Sequence, residues 1–107
     1  MSDRILEGLL ASQGSLKVLI ALLQKGPTYQ SELSFETRLH GITISRTINS
    51  LINQKMVRRI PPTRKVIHVE DFYELTPYGR DVAKLLLDFW TEMTNSFEKI
   101  MRDHHVE

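Results

Sequence analysis

The sequence predicts a mainly α domain with one small β-hairpin, an α+β fold ending in a long helix. Three observations lead there. Apolar residues recur at three- and four-residue spacing through five separate segments, the signature of helices that bury one face. Only two short runs, Met56–Ile60 and Phe72–Leu75, have strand character, and Pro61-Pro62 lies between them. Thr76-Pro77 then opens an amphipathic stretch of roughly 28 residues, or ~42 Å of helix. At 107 residues the chain has the size of a single domain.

Each element follows from local signals. Ser2 or Asp3 is placed to cap a first helix with the stripe Ile5, Leu6, Leu9 and Leu10, ended by Gly14, so residues 1–13 form an N-terminal helix. Ser15 restarts the chain as a second helix. Leu16, Leu19, Ile20 and Leu23 form its stripe, with Val18 and Leu22 beside it. Being apolar nearly all round, it is expected at the centre of the core. Gly26-Pro27 stops it. Thr28 opens a third helix, to about Leu39, that buries Tyr29 and Leu33. His40-Gly41-Ile42 makes a tight turn, and Thr43 caps a fourth helix reaching about Gln54. The two prolines exclude a central strand, so the hairpin carries a long tip at a sheet edge. Residues 15–75 thus form a core and 76–105 a C-terminal helix. Its apolar positions are Val82, Leu85, Leu86, Phe89, Trp90, Met93, Phe97, Ile100 and Met101. The order is α-α-α-α-β-β-α.

Charge is unevenly spread. From Thr37 to Val69 there are seven basic residues (Arg38, Arg46, Lys55, Arg58, Arg59, Arg64 and Lys65) and no acidic one. The remaining seven basic residues share the rest of the chain with all 13 acidic ones, so a net charge of +1 hides a strongly basic block. Such a block attracts polyanions whatever the whole-molecule balance.

The fourth helix lies inside that block. At 100° per residue, Ile44, Ile48, Leu51 and Ile52 share one face, while Arg46, Asn49, Ser50 and Asn53 share the other, with Thr43 and Ser45 near the N-terminal end. Arg suits guanine, Asn suits adenine, and hydroxyls suit phosphates at a helix N-terminus. A helix serving structure alone more often carries Glu–Lys pairs, and this one has no acid. Two helices joined by a short Gly-containing turn make a helix-turn-helix arrangement. Arg38, Arg64 and Lys65 are candidate phosphate contacts. Arg58 and Arg59 are less clear candidates, because on a strand one of them faces inward or pairs with Glu74 across the hairpin.

Residues 33–60, including Leu39-His40-Gly41-Ile42-Thr43-Ile44-Ser45-Arg46, resemble the recognition helix and first wing strand of winged helix-turn-helix transcription regulators. Tyr73-Glu74-Leu75-Thr76-Pro77-Tyr78-Gly79-Arg80 is similar to the stretch that closes the wing and opens the last helix in MarR-like and HxlR-like families. The similarity spans roughly residues 15 to 95. The chain departs from the HxlR-like pattern in having no cysteine. The resemblance implies that Arg46, Asn49, Ser50 and Asn53 face a DNA groove and that Arg64 and Lys65 ride on the wing tip.

The last helix has more apolar surface than a small core can cover. Phe89, Trp90, Met93, Phe97, Ile100 and Met101 are therefore read as a homodimer interface, unless the first helix folds back over them. Asp103-His104-His105 with Glu107 has metal-ligating residue types, but at a chain end it is read as a frayed tail, and no metal or cofactor is assigned. Zero cysteines exclude disulfides, thiol chemistry and thiolate zinc sites. There is no Gly-rich phosphate loop, nucleophile elbow or His-Glu-x-x-His, which argues against an enzyme. No apolar run is long enough to span a membrane, and no signal peptide is evident. The expectation is a soluble, cytoplasmic, homodimeric regulator of double-stranded DNA, with any small-molecule effector unknown. The alternatives are a winged-helix protein-interaction subunit of a larger assembly, and a sensor with an effector pocket between the first and last helices. The former should expose apolar anchors on the fourth helix, and none is expected there.

Overall fold

The computed structural model describes residues 2–60 and 71–105. Its elements are α1 (Ser2–Ala11), α2 (Gln13–Lys25), β1 (Thr28–Tyr29), α3 (Gln30–Thr37), α4 (Gly41–Asn53), β2 (Val57–Ile60), β3 (Phe72–Leu75) and α5 (Pro77–Asp103). The fold is α+β: the described residues form five helices and a small antiparallel sheet in the order β1-β3-β2.

The near-continuous apolar surface of α2 puts it at the centre. Val18 and Leu19 are wholly buried, and α1, α3, α4, α5 and β3 all pack against this helix. Leu33 of α3, Ile44, Ile48 and Leu51 of α4, and Ala83 and Leu86 of α5 close the core around it. In the β2–β3 hairpin, Val57 faces Leu75 and Arg58 faces Glu74.

Three boundaries differ from expectation. The break between α1 and α2 falls at Ser12, whose hydroxyl caps α2 by accepting from the Ser15 amide at 3.3 Å, so Gly14 lies inside α2. A Cβ on Gly14 would meet the Thr47 hydroxyl at 3.1 Å, so this glycine serves the close approach of α2 to α4. Thr28 and Tyr29 do not start a helix. They pair with Tyr73 and Phe72 as a third strand, and Tyr29 stacks on Phe72 with centroids 4.1 Å apart. Finally, His40 rather than Thr43 is the N-cap of α4, which begins three residues earlier than a Thr43 cap implies. Ser2 and Asp3, expected to cap α1, lie within the helix with their side chains not described, and the hairpin tip, residues 61–70, lies outside the described residues.

The start of α5 is as expected. The Thr76 hydroxyl accepts from the Gly79 amide at 3.0 Å and donates to the Lys55 carbonyl at 2.6 Å. The cap thereby ties α5 to the α4–β2 connection. At 27 residues α5 is ~40 Å long and outruns the core. The radius of gyration, 16.0 Å, exceeds the about 13 Å of a compact domain this size for the same reason. No helix among the described residues is long and apolar enough to cross a membrane.

Candidate nucleic-acid interface

The outer face of α4 follows from its buried one. Ile44, Ile48 and Leu51 are in the core, which leaves Arg46, Asn49 and Asn53 exposed on the opposite side. Among the described residues no ion pair engages Arg46 or Lys55, and no carboxylate lies on α4. This face offers one guanidinium and two amides within an arc of about 60°.

Other expected site residues flank this stripe. Ser45 is turned toward α3, where its hydroxyl accepts from Gln30 Nε2 at 3.1 Å. Ser50 is exposed on the α1 side, beside Arg4 and Ile5, and accepts from Gln54 Nε2 at 3.1 Å. Thr43 is exposed in the first turn, where its carbonyl accepts from the Thr47 hydroxyl. Arg38 lies elsewhere. As the left-handed C-cap of α3 (φ 60°) it lines an open cleft of about 620 Å³ with Leu16, Lys17, Lys25, Glu36 and Trp90. In that cleft Lys25 bridges Glu36 at 2.7 Å and Glu32 at 3.3 Å. These hydrogen bonds, Glu36 first and Glu32 second, hold the Lys25 ammonium above its ordinary pKa.

The basic residues of the hairpin are partly neutralised. Arg58 pairs with Glu74 across the strands, and Arg59 reaches Asp71 at 3.3 Å while lying over the Tyr73 ring. Arg64 and Lys65 lie outside the described residues. Two positively charged groups of the block therefore have local counter-charges, whereas Arg46 and Lys55 have none among the described residues.

The exposure of Ile42 went unanticipated. The expectation was that α4 would expose no apolar anchor, but Ile42 is inside the helix and 64% exposed. Phe35 on α3 is more exposed still, at 78%. Because α4 starts at Gly41, Ile42 falls on the same face as Arg46, Asn49 and Asn53. Extending the 100° arithmetic back by one turn finds it.

On α5, Ala83 and Leu86 are buried, and the same stripe then runs into open solvent. Phe89, Trp90, Met93, Phe97 and Ile100 are all exposed, and Met101 is half-buried. The first helix packs on α2, and although its Leu10 shares a cleft with Trp90, these five side chains stay about half exposed. His104 and His105 are exposed at the end of the helix, and Glu107 lies outside the described residues. Among the described residues no group of three His, Asp or Glu side chains is arranged to hold a metal.

No sequence model of a known family matches the chain, and no curated protein is detectably similar to it in sequence. Solved structures with this fold are nevertheless found. A MarR family transcriptional regulator from Silicibacter pomeroyi superposes with a TM-score of 0.74 at 16% identity, over 95% of this chain and 73% of that one. The adhesin competence repressor of Streptococcus pyogenes gives 0.71 at 18% identity, over 94% and 78%. BpsR of Bordetella bronchiseptica, whose DNA binding is regulated by 6-hydroxynicotinic acid, gives 0.69 at 22%, over 79% and 59%. The chain thus spans between three-fifths and four-fifths of the length of these proteins. It has the winged-helix fold of MarR-family structures.

Proposed function

We propose that the chain is a sequence-specific double-stranded DNA-binding transcription regulator that acts as a homodimer and is not an enzyme. The observation that carries this is the outer face of α4, the second helix of a helix-turn-helix. Arg46, Asn49 and Asn53 stand exposed there on a helix that carries no acid, with no ion pair to Arg46 among the described residues. Base edges in the major groove match that donor and acceptor set. Thr43, Ser50 and Lys55 flank it toward the phosphates, Arg64 and Lys65 supply the wing contacts, and Ser45 retains a free hydroxyl proton for one. Arg38, on the cleft side, has the smallest part. The regulators of like fold support the reading, although at their level of identity the likeness is one of fold.

The homodimer rests on α5. A large aromatic and aliphatic stripe held in water costs free energy that burial recovers, at about 25 cal/mol per Å². A second copy offers an identical stripe, so a two-fold pairing covers both at once. Two recognition helices then meet a palindromic site about one helical turn apart.

The test is to incubate the full chain with a pool of random duplexes at low salt, recover those retained and sequence them, with light scattering on the same sample. Enrichment of a palindromic motif by a particle of twice the chain mass supports the proposal. A monomer that retains no duplex defeats it. The exposure of Phe35 and Ile42 favours the second reading, a protein-interaction subunit, which that outcome would select.

A further inference from the structure

We infer that Ile42 is a specificity-determining residue that reads the C5-methyl group of a thymine in the major groove. The inference rests on the DNA-binding reading above and names a contact that reading does not contain. One exposed aliphatic side chain on a protein surface is ordinary by itself. Its position is what carries the argument. Ile42 is 64% exposed in the first turn of α4, and it heads the stripe that continues through Arg46, Asn49 and Asn53. Among the described residues it is not part of the apolar core. The apolar contacts that seat α4 on the core come from Ile44, Ile48 and Leu51 on the opposite face.

The chemistry of the groove then selects the target. Recognition helices present their N-terminal residues to base edges. Those edges offer hydrogen-bonding atoms everywhere except at the thymine methyl, the one apolar group in the major groove. A branched aliphatic side chain gains nothing from a guanine, cytosine or adenine edge. Against a thymine methyl it gains the burial of both surfaces. The neighbouring groups on the stripe are suited to polar edges, so the site read by α4 should combine a thymine with adjacent purines. Phe35 is not part of this contact, since it projects from the outer side of α3 rather than from α4.

The test uses duplexes recovered by the full chain from the random pool. Each thymine of the tightest one is replaced singly by deoxyuridine, which removes only the methyl group. Affinities are measured by fluorescence anisotropy for the wild type, Ile42→Ala and Ile42→Val, with circular dichroism to confirm folding of each. The wild type should lose about four-fold at one thymine per half-site, the amount expected for one buried methyl-sized group. Ile42→Ala should bind the thymine duplex more weakly and show no further loss on the deoxyuridine duplex, while Ile42→Val keeps part of the discrimination. A deoxyuridine effect of equal size in the wild type and Ile42→Ala overturns the inference and leaves the DNA-binding reading standing. So does the absence of any deoxyuridine effect. Failure to retain any duplex at low salt overturns both.

Discussion

Replacing Gly79 with alanine drives a methyl group into the backbone of Met56. The added carbon would lie 2.7 Å from the Met56 carbonyl carbon, 3.0 Å from its Cα and closer still to the carbonyl oxygen. Carbon atoms normally rest ~3.5–4.0 Å apart, so the α4–β2 connection has to move away from α5 by about an ångström. It is not free to do so. The Met56 carbonyl accepts from the Thr76 amide at 3.0 Å, the Met56 amide donates to Leu51 at 3.0 Å, and the Lys55 carbonyl accepts from the Thr76 hydroxyl. Overpacking of this kind costs ~1–3 kcal/mol. Loss of the two hydrogen bonds that hold Thr76 adds about 1 kcal/mol each. Alanine returns about 1 kcal/mol through its better helix propensity. The net expectation is a destabilisation of ~2–4 kcal/mol, which lowers the Tm by roughly 10–20 °C in a domain of this size. Thermal melts followed by circular dichroism at one fixed protein concentration read it, since the Tm of any associating protein depends on concentration. A variant melting within about 2 °C of the wild type would refute the reasoning that α5 is seated by contact of its first turn with Met56.

Phe97→Glu should convert the dimer to monomer in light scattering while the helical circular dichroism persists. Phe97 lies about six turns beyond Thr76, outside the core, and a carboxylate buried between two copies costs several kcal/mol. A variant that stays dimeric means that α5 pairs through another face. Arg46→Ala should cost ~1–3 kcal/mol on the selected duplex and far less on a scrambled one, as measured by gel-shift titration. Equal loss on both would assign Arg46 to phosphate. Lys25 is held above its ordinary pKa by Glu36 and Glu32, so its contribution to stability is intact below that ordinary value and is lost as pH rises through the raised one. Urea midpoints of the wild type should therefore fall more than those of Lys25→Gln once the pH is taken well into the alkaline range. Parallel curves would show that the pair is too exposed to matter.

What the sequence made legible were the features written in adjacent residues. Gly26-Pro27 marks the end of α2, Thr76-Pro77 marks the start of α5, and the apolar circumference of α2 announces its central place. The polar face of α4 was equally legible, because 3.6-residue periodicity separates Arg46, Asn49 and Asn53 from Ile44, Ile48 and Leu51 without any tertiary information. The pairing of Arg58 with Glu74 was within reach for a similar reason, as a cross-strand neighbour in a hairpin. Features that depend on a distant neighbour were not legible. Two residues, Thr28 and Tyr29, have no period, and they are extended because β3 offers a free edge and Phe72 a ring to stack on. Gly14 reads as a helix stop because its real reason, the Thr47 side chain of α4, lies 33 positions away in sequence. Ser45 and Arg38 differ in their surroundings only once α3 is packed, which brings Gln30 to one and the Lys25–Glu36 cleft to the other. Ile42 reads as part of a turn only while Thr43 is taken as the cap; the true cap, His40, lies three residues earlier and puts Ile42 on the groove-facing stripe.

If α4 and the wing hold DNA through cations that displace counterions, duplex binding must weaken steeply with salt. Arg58 and Arg59 already have carboxylate partners, and Arg46 is assigned to a base. With Arg38 set aside on the cleft side, the proposal leaves Lys55, Arg64 and Lys65 for phosphates, three per protomer and six per dimer. At ~0.9 per phosphate, log K should fall against log salt with a slope of about −5. Fluorescence anisotropy on one labelled duplex across a salt series gives the slope. A value near −5 is the predicted result; a slope near zero, or no binding at the lowest salt, would contradict the account.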